Sequence, residues 1–173
     1  LLTRRTLKDN AKNLDHFDAL FFYTCGDLPL DDEQKQALLG FVRDDGKGLL
    51  GAHSATVAEW PAFVEMIGGR FDGHPWDQLE AVVKVEDRGF PAVRHFPERF
   101  RLFDEFYQVR DFSRQGSRVL MSLDLSSVDR TRKDARHDDG PIAWTRGYGK
   151  GRVFYSSLGH PRSSWARADM RLM

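Results

Sequence analysis

Two histidines in this sequence, His53 and His160, each follow an apolar stretch that ends in small residues. His53 comes directly after GLLGA (48–52), and His160 comes directly after VFYSSLG (153–159). A neutral imidazole can accept or release a proton near neutral pH, and it is also a common ligand of zinc and similar ions. If both stretches are strands of one sheet, the two imidazoles face the same crevice. We therefore expect His53 and His160 to act as acid–base catalysts or as metal ligands in one shared site.

Three further residues are candidates for the same site. His74 lies in a Gly-His-Pro-Trp loop and, with His53 and His160, would supply the imidazoles of an open site for a divalent metal such as zinc. A single histidine in a loop is more often a surface or hydrogen-bonding residue, so this alternative stays open for His74. Trp76 and Ser54 are candidates to bind substrate, since the first offers a flat aromatic ring and the second adjoins His53.

The segment DEFYQVRDFSR (104–114) contributes further candidates. We predict that Glu105 takes part in catalysis and that Tyr107 and Arg110 position substrate hydroxyls. In an extended segment Glu105 and Tyr107 point to one face, whereas Arg110 points to the other. A solvent-exposed strand whose arginine forms a salt bridge would explain the same residues equally well.

The first half of the chain alternates between strand patterns and helix patterns. An apolar strand is predicted over 17–26 and another over 48–52, and each precedes a helix pattern, the first of which Asp31 or Asp32 can cap. This order predicts right-handed parallel crossovers and an open α/β sheet. Ligands bind beyond the carboxyl ends of the strands in such sheets, which is where His53 would lie.

The second half of the chain is predicted to add antiparallel strands at one edge of that sheet. The stretch 90–112, with two prolines and many aromatic residues, is predicted to be irregular, with an extended EFYQV (105–109). A final helix is predicted with Ser163 or Ser164 as its N-cap. The strand patterns lie at 79–87, at 117–127 and, as a hairpin, at 141–159.

Charge and cysteine content narrow the classes of function. Twenty-six basic and 26 acidic residues give a formal net charge of zero, so we expect neither nucleic acid nor a membrane surface as a partner. The single cysteine, Cys25, excludes an internal disulfide and a cysteine-based zinc cluster. These features favour the cytoplasm, although a targeting signal ahead of Leu1 would change that expectation.

Five stretches of the chain, taken in order, match a known family: GKGLLGAHSAT, GGRFDGHPW, FRLFDEFYQVRDFSR, VLMSLD and PIAWTRGYGKGRVFYSSLGH. Together they resemble the trehalose utilisation family, the ThuA-like proteins. The resemblance implies a fold similar to class I glutamine amidotransferases, a flavodoxin-like, doubly wound, mostly parallel α/β sheet with antiparallel edge strands. It also implies one domain over 1–173 that lacks its first strand and helix, since no full strand precedes the first helix-like stretch.

The resemblance to the amidotransferases also bears on the histidines. In those enzymes a cysteine occupies the turn after a strand, and a histidine on a late strand activates it. Here His53 is similar in position to that cysteine and His160 to the activating histidine, while Cys25 follows an earlier strand. Thiol-dependent amidotransferase activity is therefore not expected.

The family resemblance implies a role in the metabolism of trehalose-like disaccharides or their 3-keto derivatives. We expect a carbohydrate-active enzyme whose partner is a small sugar and which could assemble as a homo-oligomer. The alternative is a non-catalytic module that binds a sugar or a partner on the same scaffold.

Overall fold

The structure is a computed structural model that describes residues 11–173, with side chains from residue 14 onward. Residues 1–10, for which the sequence predicts no full strand, lie outside the described residues. The helices are α1 (Asp32–Arg43), α2 (Pro61–Ile67) and α3 (Arg162–Ala166), with 3₁₀ turns at Ala11–His16, His53–Thr56, Leu125–Ser127 and Met170–Leu172. The strands are β1 (Ala19–Phe22), β2 (Gly48–Ala52), β3 (Arg70–Phe71), β4 (Gln78–Val85), β5 (Arg99–Glu105), β6 (Val109–Arg110), β7 (Arg118–Leu123), β8 (Pro141–Tyr148) and β9 (Gly151–Ser156).

Within the described residues, seven strands form one mixed sheet in the order β1-β2-β9-β8-β7-β4-β5, and β3 pairs separately with β6. The pairs β1–β2 and β2–β9 are parallel, and the remaining neighbours are antiparallel. Strands β1, β2, β9, β7 and β5 therefore all run in one direction, against β8 and β4. The predicted α/β class with a mostly parallel sheet is confirmed. Five of the seven strands run in one direction, but four of the six neighbouring pairs are antiparallel, because β8 and β4 run against the others.

One core cluster lies between the parallel strands and the helices α1 and α2. Leu20 and Phe22 of β1 alternate with exposed residues, so one face of the strand is buried against this cluster. Asp31 begins α1 with a capping box, in which its carboxylate accepts from the Gln34 backbone N–H and the Gln34 side chain accepts in return. Helix α2 ends where Gly68 adopts a left-handed conformation (φ 90°). Because β1, β2 and β9 are parallel neighbours, their carboxyl ends lie at the same edge of the sheet.

A second core cluster fills the antiparallel half of the molecule. It includes Trp76, Phe96, Leu120 and Ile142, which are all buried. No helix in the described part of the chain is long and apolar enough to cross a membrane.

The sheet curls so that its two ends approach each other. Strands β2 and β5 lie five positions apart, which would separate them by about 24 Å in a flat sheet. Nevertheless, Nε2 of His53, at the end of β2, lies 3.4 Å from Oε2 of Glu105, the last residue of β5. The β4–β7 pairing is short, confined to Val83–Val85 against Met121–Leu123. The curl brings the carboxyl end of β5 to those of β2 and β9.

Two sequence predictions of secondary structure are wrong. The stretch predicted to be irregular contains β5, which pairs along its whole length with β4, while EFYQV forms mainly a loop. The flanking prolines hide this strand from local pattern, since only pairing with β4 stabilises it. The final helix begins after Pro161 rather than after a serine cap, because the Ser164 hydroxyl instead donates to Asp104.

Candidate active site at the carboxyl ends of the strands

His53 and His160 lie together beyond the parallel strands β2 and β9. Ala52, the last residue of β2, is in register with Ser156, the last of β9, so the two chains leave the sheet side by side. His53 turns sharply, with a positive φ of 45° that is rare for a residue other than glycine. The sequence analysis predicts a tight turn here, and this backbone conformation aims the imidazole at His160.

Three side chains converge on one point, and we call them the His–Glu–His cluster: His53, Glu105 and His160. Nε2 of His53 lies 2.9 Å from Nδ1 of His160 and 3.4 Å from Oε2 of Glu105. The same Glu105 oxygen lies 3.2 Å from Nδ1 of His160. The side chains of His53 and Glu105 are 4% and 11% exposed, whereas that of His160 is 38% exposed. The cluster is therefore buried at His53 and Glu105 and open to solvent at His160.

The backbone of β9 determines which nitrogen of His53 carries the proton. Nδ1 of His53 lies 2.7 Å from the carbonyl oxygen of Ser157. A carbonyl only accepts hydrogen bonds, so Nδ1 must donate, and in the neutral ring Nε2 then has a free lone pair. Burial is the main cause that lowers the pKa of His53, which favours this neutral form. The lone pair points toward His160 and Glu105.

Tyr107 completes the inner side of the site. Its hydroxyl lies 2.8 Å from Nε2 of His53 and donates to that lone pair, and its ring centroid lies 4.4 Å from the imidazole. Burial raises the pKa of Tyr107 well above its ordinary value, so the phenol stays protonated. Tyr107 is therefore a buried donor directed at the cluster.

Asp104 holds the loop that carries His160. Its buried carboxylate accepts from the backbone N–H groups of Gly159 (2.9 Å), His160 (3.0 Å) and Glu105 (2.8 Å). It also accepts from the hydroxyl of Ser164 at 2.7 Å. Four donors satisfy the carboxylate and fix the path of the chain on both sides of His160. The sequence analysis did not single out Asp104.

Two aromatic side chains, Tyr23 and Trp165, form what we call the aromatic rim beside His160. They are 46% and 43% exposed, and their rings meet edge to face with centroids 5.9 Å apart. Both donate to the carbonyl of Gly159, Tyr23 Oη at 3.1 Å and Trp165 Nε1 at 2.7 Å. The rings are thus exposed but held in place. The position of Tyr23, just beyond β1, is the signal that could have identified it.

His74 lies next to the cluster without joining it. Its Nδ1 is 3.7 Å from Oε1 of Glu105, on the side away from the other two imidazoles, and 3.6 Å from Oδ1 of Asp77. This nitrogen is buried and makes no hydrogen bond within the described part of the chain. Among the described residues, the group that could hold a metal consists of His53, Glu105 and His160. The structure thus places Glu105 where the predicted metal set has His74.

The structure does not bring the other predicted substrate-binding residues to the cluster. Trp76 is 6% exposed and donates through its indole N–H to the carbonyl of Asp129, so it packs in the core. Arg110 lies on β6, and its guanidinium is 3.8 Å from a carboxylate oxygen of Asp72. Ser54 is half-buried in the 3₁₀ turn that follows β2. Of the predicted substrate-binding residues, Tyr107 contacts the cluster.

A family model described as trehalose utilisation, ThuA, matches residues 3–173. None of the curated proteins compared with the chain matches it significantly. A ThuA-like protein from Bacteroides uniformis superposes with a TM-score of 0.79 at 24% identity, over 98% of this chain and 71% of that chain. A ThuA-like protein from Parabacteroides merdae gives a TM-score of 0.69 at 20% identity, over 85% of this chain and 61% of that one.

A cytoplasmic protein from Salmonella typhimurium is also similar, with a TM-score of 0.55 at 14% identity, over 85% of this chain and 62% of that chain. Identities this low show a shared fold, and the chain spans between three fifths and three quarters of these structures. The family model, in contrast, matches the sequence itself over nearly its whole length. The chain therefore belongs to the trehalose utilisation (ThuA) family.

Proposed function

We propose that this protein is an enzyme that acts on a trehalose-like disaccharide or its 3-keto derivative. The observation that carries the proposal is the His–Glu–His cluster at the carboxyl ends of the strands, buried on one side and open beside the aromatic rim. Two imidazoles beside a carboxylate, one buried and one open to solvent, are suited to moving a proton near neutral pH. Exposed, fixed aromatic rings are suited to packing against the apolar face of a sugar ring. Family membership supports the same substrate class.

The reaction best matched to this site begins with removal of a proton from the carbon beside a sugar carbonyl. Such a step needs a base, and it needs an electrophile or hydrogen-bond donor to stabilise the enediolate. Tyr107 is a buried, protonated donor beside the cluster. The imidazoles can transfer the proton themselves, or they can hold a divalent ion that polarises the carbonyl. In either role His53 and His160 are required.

The proposal extends to the setting of the enzyme. We place it in the cytoplasm, where the similar Salmonella protein is found and where the lone, exposed Cys25 would remain reduced. A small sugar is its partner, since the surface has no net charge to attract a polyanion.

Replacing either histidine of the cluster tests the function. We expect His53→Ala and His160→Ala each to lower turnover of a 3-keto-disaccharide by at least about 100-fold, since acid–base groups contribute roughly that much or more. Incorporation of solvent deuterium beside the carbonyl, followed by NMR, measures proton removal directly. His95→Ala is the matched control, because His95 hydrogen-bonds the Asp169 carbonyl away from the cluster.

Full activity in both cluster variants would refute the proposal. A wild-type protein that binds the sugar but catalyses neither turnover nor deuterium exchange would support the non-catalytic binding module instead.

A further inference from the structure

We infer that His53, His160 and Glu105 bind one divalent transition-metal ion of the zinc class, through Nε2, Nδ1 and Oε2 respectively. The inference concerns the same residues as the proposed function. It rests on that proposal in one respect, since the bound ion would be the electrophile that the proposed reaction needs. Metal binding itself can be measured without any sugar.

The spacing of the three atoms fits a single ion. They form a triangle with sides of 2.9, 3.2 and 3.4 Å. Atoms bound about 2.1 Å from one ion lie about 3.0 Å apart in octahedral and about 3.4 Å apart in tetrahedral coordination. The circle through the three atoms has a radius of about 1.8 Å, so an ion at that bond length would lie about 1 Å from their plane. The three ligand atoms can keep their spacing, and the Tyr107 hydroxyl proton must turn away from Nε2 of His53.

The hydrogen bonds around His53 already have the arrangement of a metal ligand. Its Nδ1–H donates to the Ser157 carbonyl, so the unprotonated Nε2 is the nitrogen that would bind the ion in place of the hydrogen bond that it accepts from Tyr107. Ligating histidines almost always donate their second ring N–H to a carbonyl, a carboxylate or water, because this fixes the tautomer and the ring orientation. Asp104 fixes His160 in turn, through the backbone on both sides of it.

The surroundings of Glu105 call for a cation. Its side chain is 11% exposed, and the basic groups within 4 Å of its carboxylate among the described residues are the imidazoles of His53, His74 and His160. A buried carboxylate needs a positive partner or several donors. A single proton can form a hydrogen bond between two of the three atoms, whereas a divalent ion can bind all three and balance the charge of the carboxylate.

The site is of the open kind that catalysis uses. Three protein ligands leave coordination positions free for water or substrate oxygens, unlike the four ligands of a structural zinc site. Two imidazoles and one carboxylate suit zinc and also iron(II). Tyr107 adjoins the cluster without being one of the three ligands, so its hydroxyl would be free to donate to a bound substrate. A substrate with adjacent carbonyl and hydroxyl oxygens, such as a keto-sugar, is the ligand class that this arrangement favours.

The test is a metal titration of the chelator-treated protein. We expect it to bind one equivalent of zinc, and to bind cobalt(II) with the absorption bands of a low-coordinate nitrogen and oxygen site. His53→Ala, His160→Ala and Glu105→Gln should each weaken zinc binding by at least about 100-fold, since loss of an outer partner alone costs up to that much. His95→Ala, whose imidazole bonds the Asp169 carbonyl away from the cluster, should bind zinc as the wild type does. Circular dichroism verifies that each variant is folded.

The wild-type cobalt spectrum decides the matter even if a variant does not fold. Absence of stoichiometric binding, or zinc affinity unchanged in all three ligand variants, would overturn the inference. Stoichiometric metal without sugar turnover would reject the proposed function and leave the metal site standing. Sugar turnover by a wild-type protein that binds no stoichiometric metal would reject the metal site and leave the proposed function standing.

Discussion

At the scale of single residues, the position of His160 depends most directly on Asp104. One fully buried carboxylate accepts hydrogen bonds from the backbone of Gly159, His160 and Glu105 and from the Ser164 hydroxyl. It thereby connects two of the three members of the cluster. Asp104 does not itself reach the converging atoms, so its role is to position them.

Asp104→Asn should separate this positioning role from a merely structural one. The amide offers one acceptor oxygen instead of two, so Gly159 and Ser164 face a donor rather than an acceptor. We expect the free energy of unfolding to fall by roughly 1–3 kcal/mol and kcat to fall with little change in KM. Urea unfolding and steady-state kinetics measure the two effects.

Asp124→Asn is the control for Asp104→Asn. Asp124 is also buried and accepts from the backbone and hydroxyl of Ser126, but it lies away from the cluster. The Asp124→Asn variant should have a lower free energy of unfolding than the wild type and the same kcat. Equal kcat values in the two variants would show that Asp104 does not position the site.

The sequence allows part of this site to be predicted. His53 and His160 can be identified locally, because each follows an apolar strand and small residues. Glu105 and Tyr107 can be identified by residue type, although the extended segment predicted to carry them is mainly a loop. Asp104 cannot, since three of its four donors come from Gly159 to Ser164, more than 50 residues later, and only the curled sheet brings them to it.

At the scale of elements, the connection from β9 to α3 combines a strained backbone with close packing. Gly159 has φ 115°, and a Cβ atom there would lie 2.7 Å from the Trp165 ring. A substitution at this position therefore meets both a conformational and a steric penalty. Strand β5, which local pattern hides, is the element that delivers Glu105 to the same place.

Gly159→Ala should disturb the site more than its backbone strain alone would. We expect it to lower the free energy of unfolding by more than about 2 kcal/mol and to lower turnover, because the methyl group displaces Trp165 or shifts His160. Gly26→Ala is the matched control: Gly26 also has positive φ, at 77°, but a Cβ there meets nothing within 4 Å. The free energy of unfolding of Gly26→Ala should fall by about 1–2 kcal/mol, and its turnover should equal that of the wild type. Comparable losses of turnover in both variants would contradict this explanation.

At the scale of the whole molecule, Arg114 links distant parts of the antiparallel half. Its guanidinium donates to both oxygens of Glu86, just after β4, and to both oxygens of Asp139, just before β8. These hydrogen bonds to Arg114 are the main cause that holds the pKa of Glu86 and that of Asp139 below their ordinary values. Carboxyl groups with a lowered pKa in the folded state stabilise it above their unfolded pKa, and this contribution is lost as the pH falls through the folded pKa.

Arg114→Met should therefore destabilise the protein at neutral pH and hardly at all in acid. At neutral pH we expect the free energy of unfolding of the variant to be about 1 kcal/mol below that of the wild type, since solvent screens these partly exposed groups. Once both carboxyls are protonated, the two free energies of unfolding should be nearly equal. Urea unfolding at pH values from about 7 down to about 3 measures it. Arg101→Met, which removes one exposed pair with Glu80, should change stability little at either pH. A constant difference at all pH values would refute the prediction.

The curl of the sheet also has a consequence for the order in which the protein folds and loses function. The cluster consists of residues 53, 105 and 160, so it cannot form until the whole chain between 53 and 160 has folded. Such long-range closure is slow, because the entropy of the intervening chain must be lost before the contacts form. The site is thus a late product of folding, and Glu105 on the edge strand β5 is the member most easily released. Fraying of that single strand would abolish the cluster while the parallel half of the molecule remained intact.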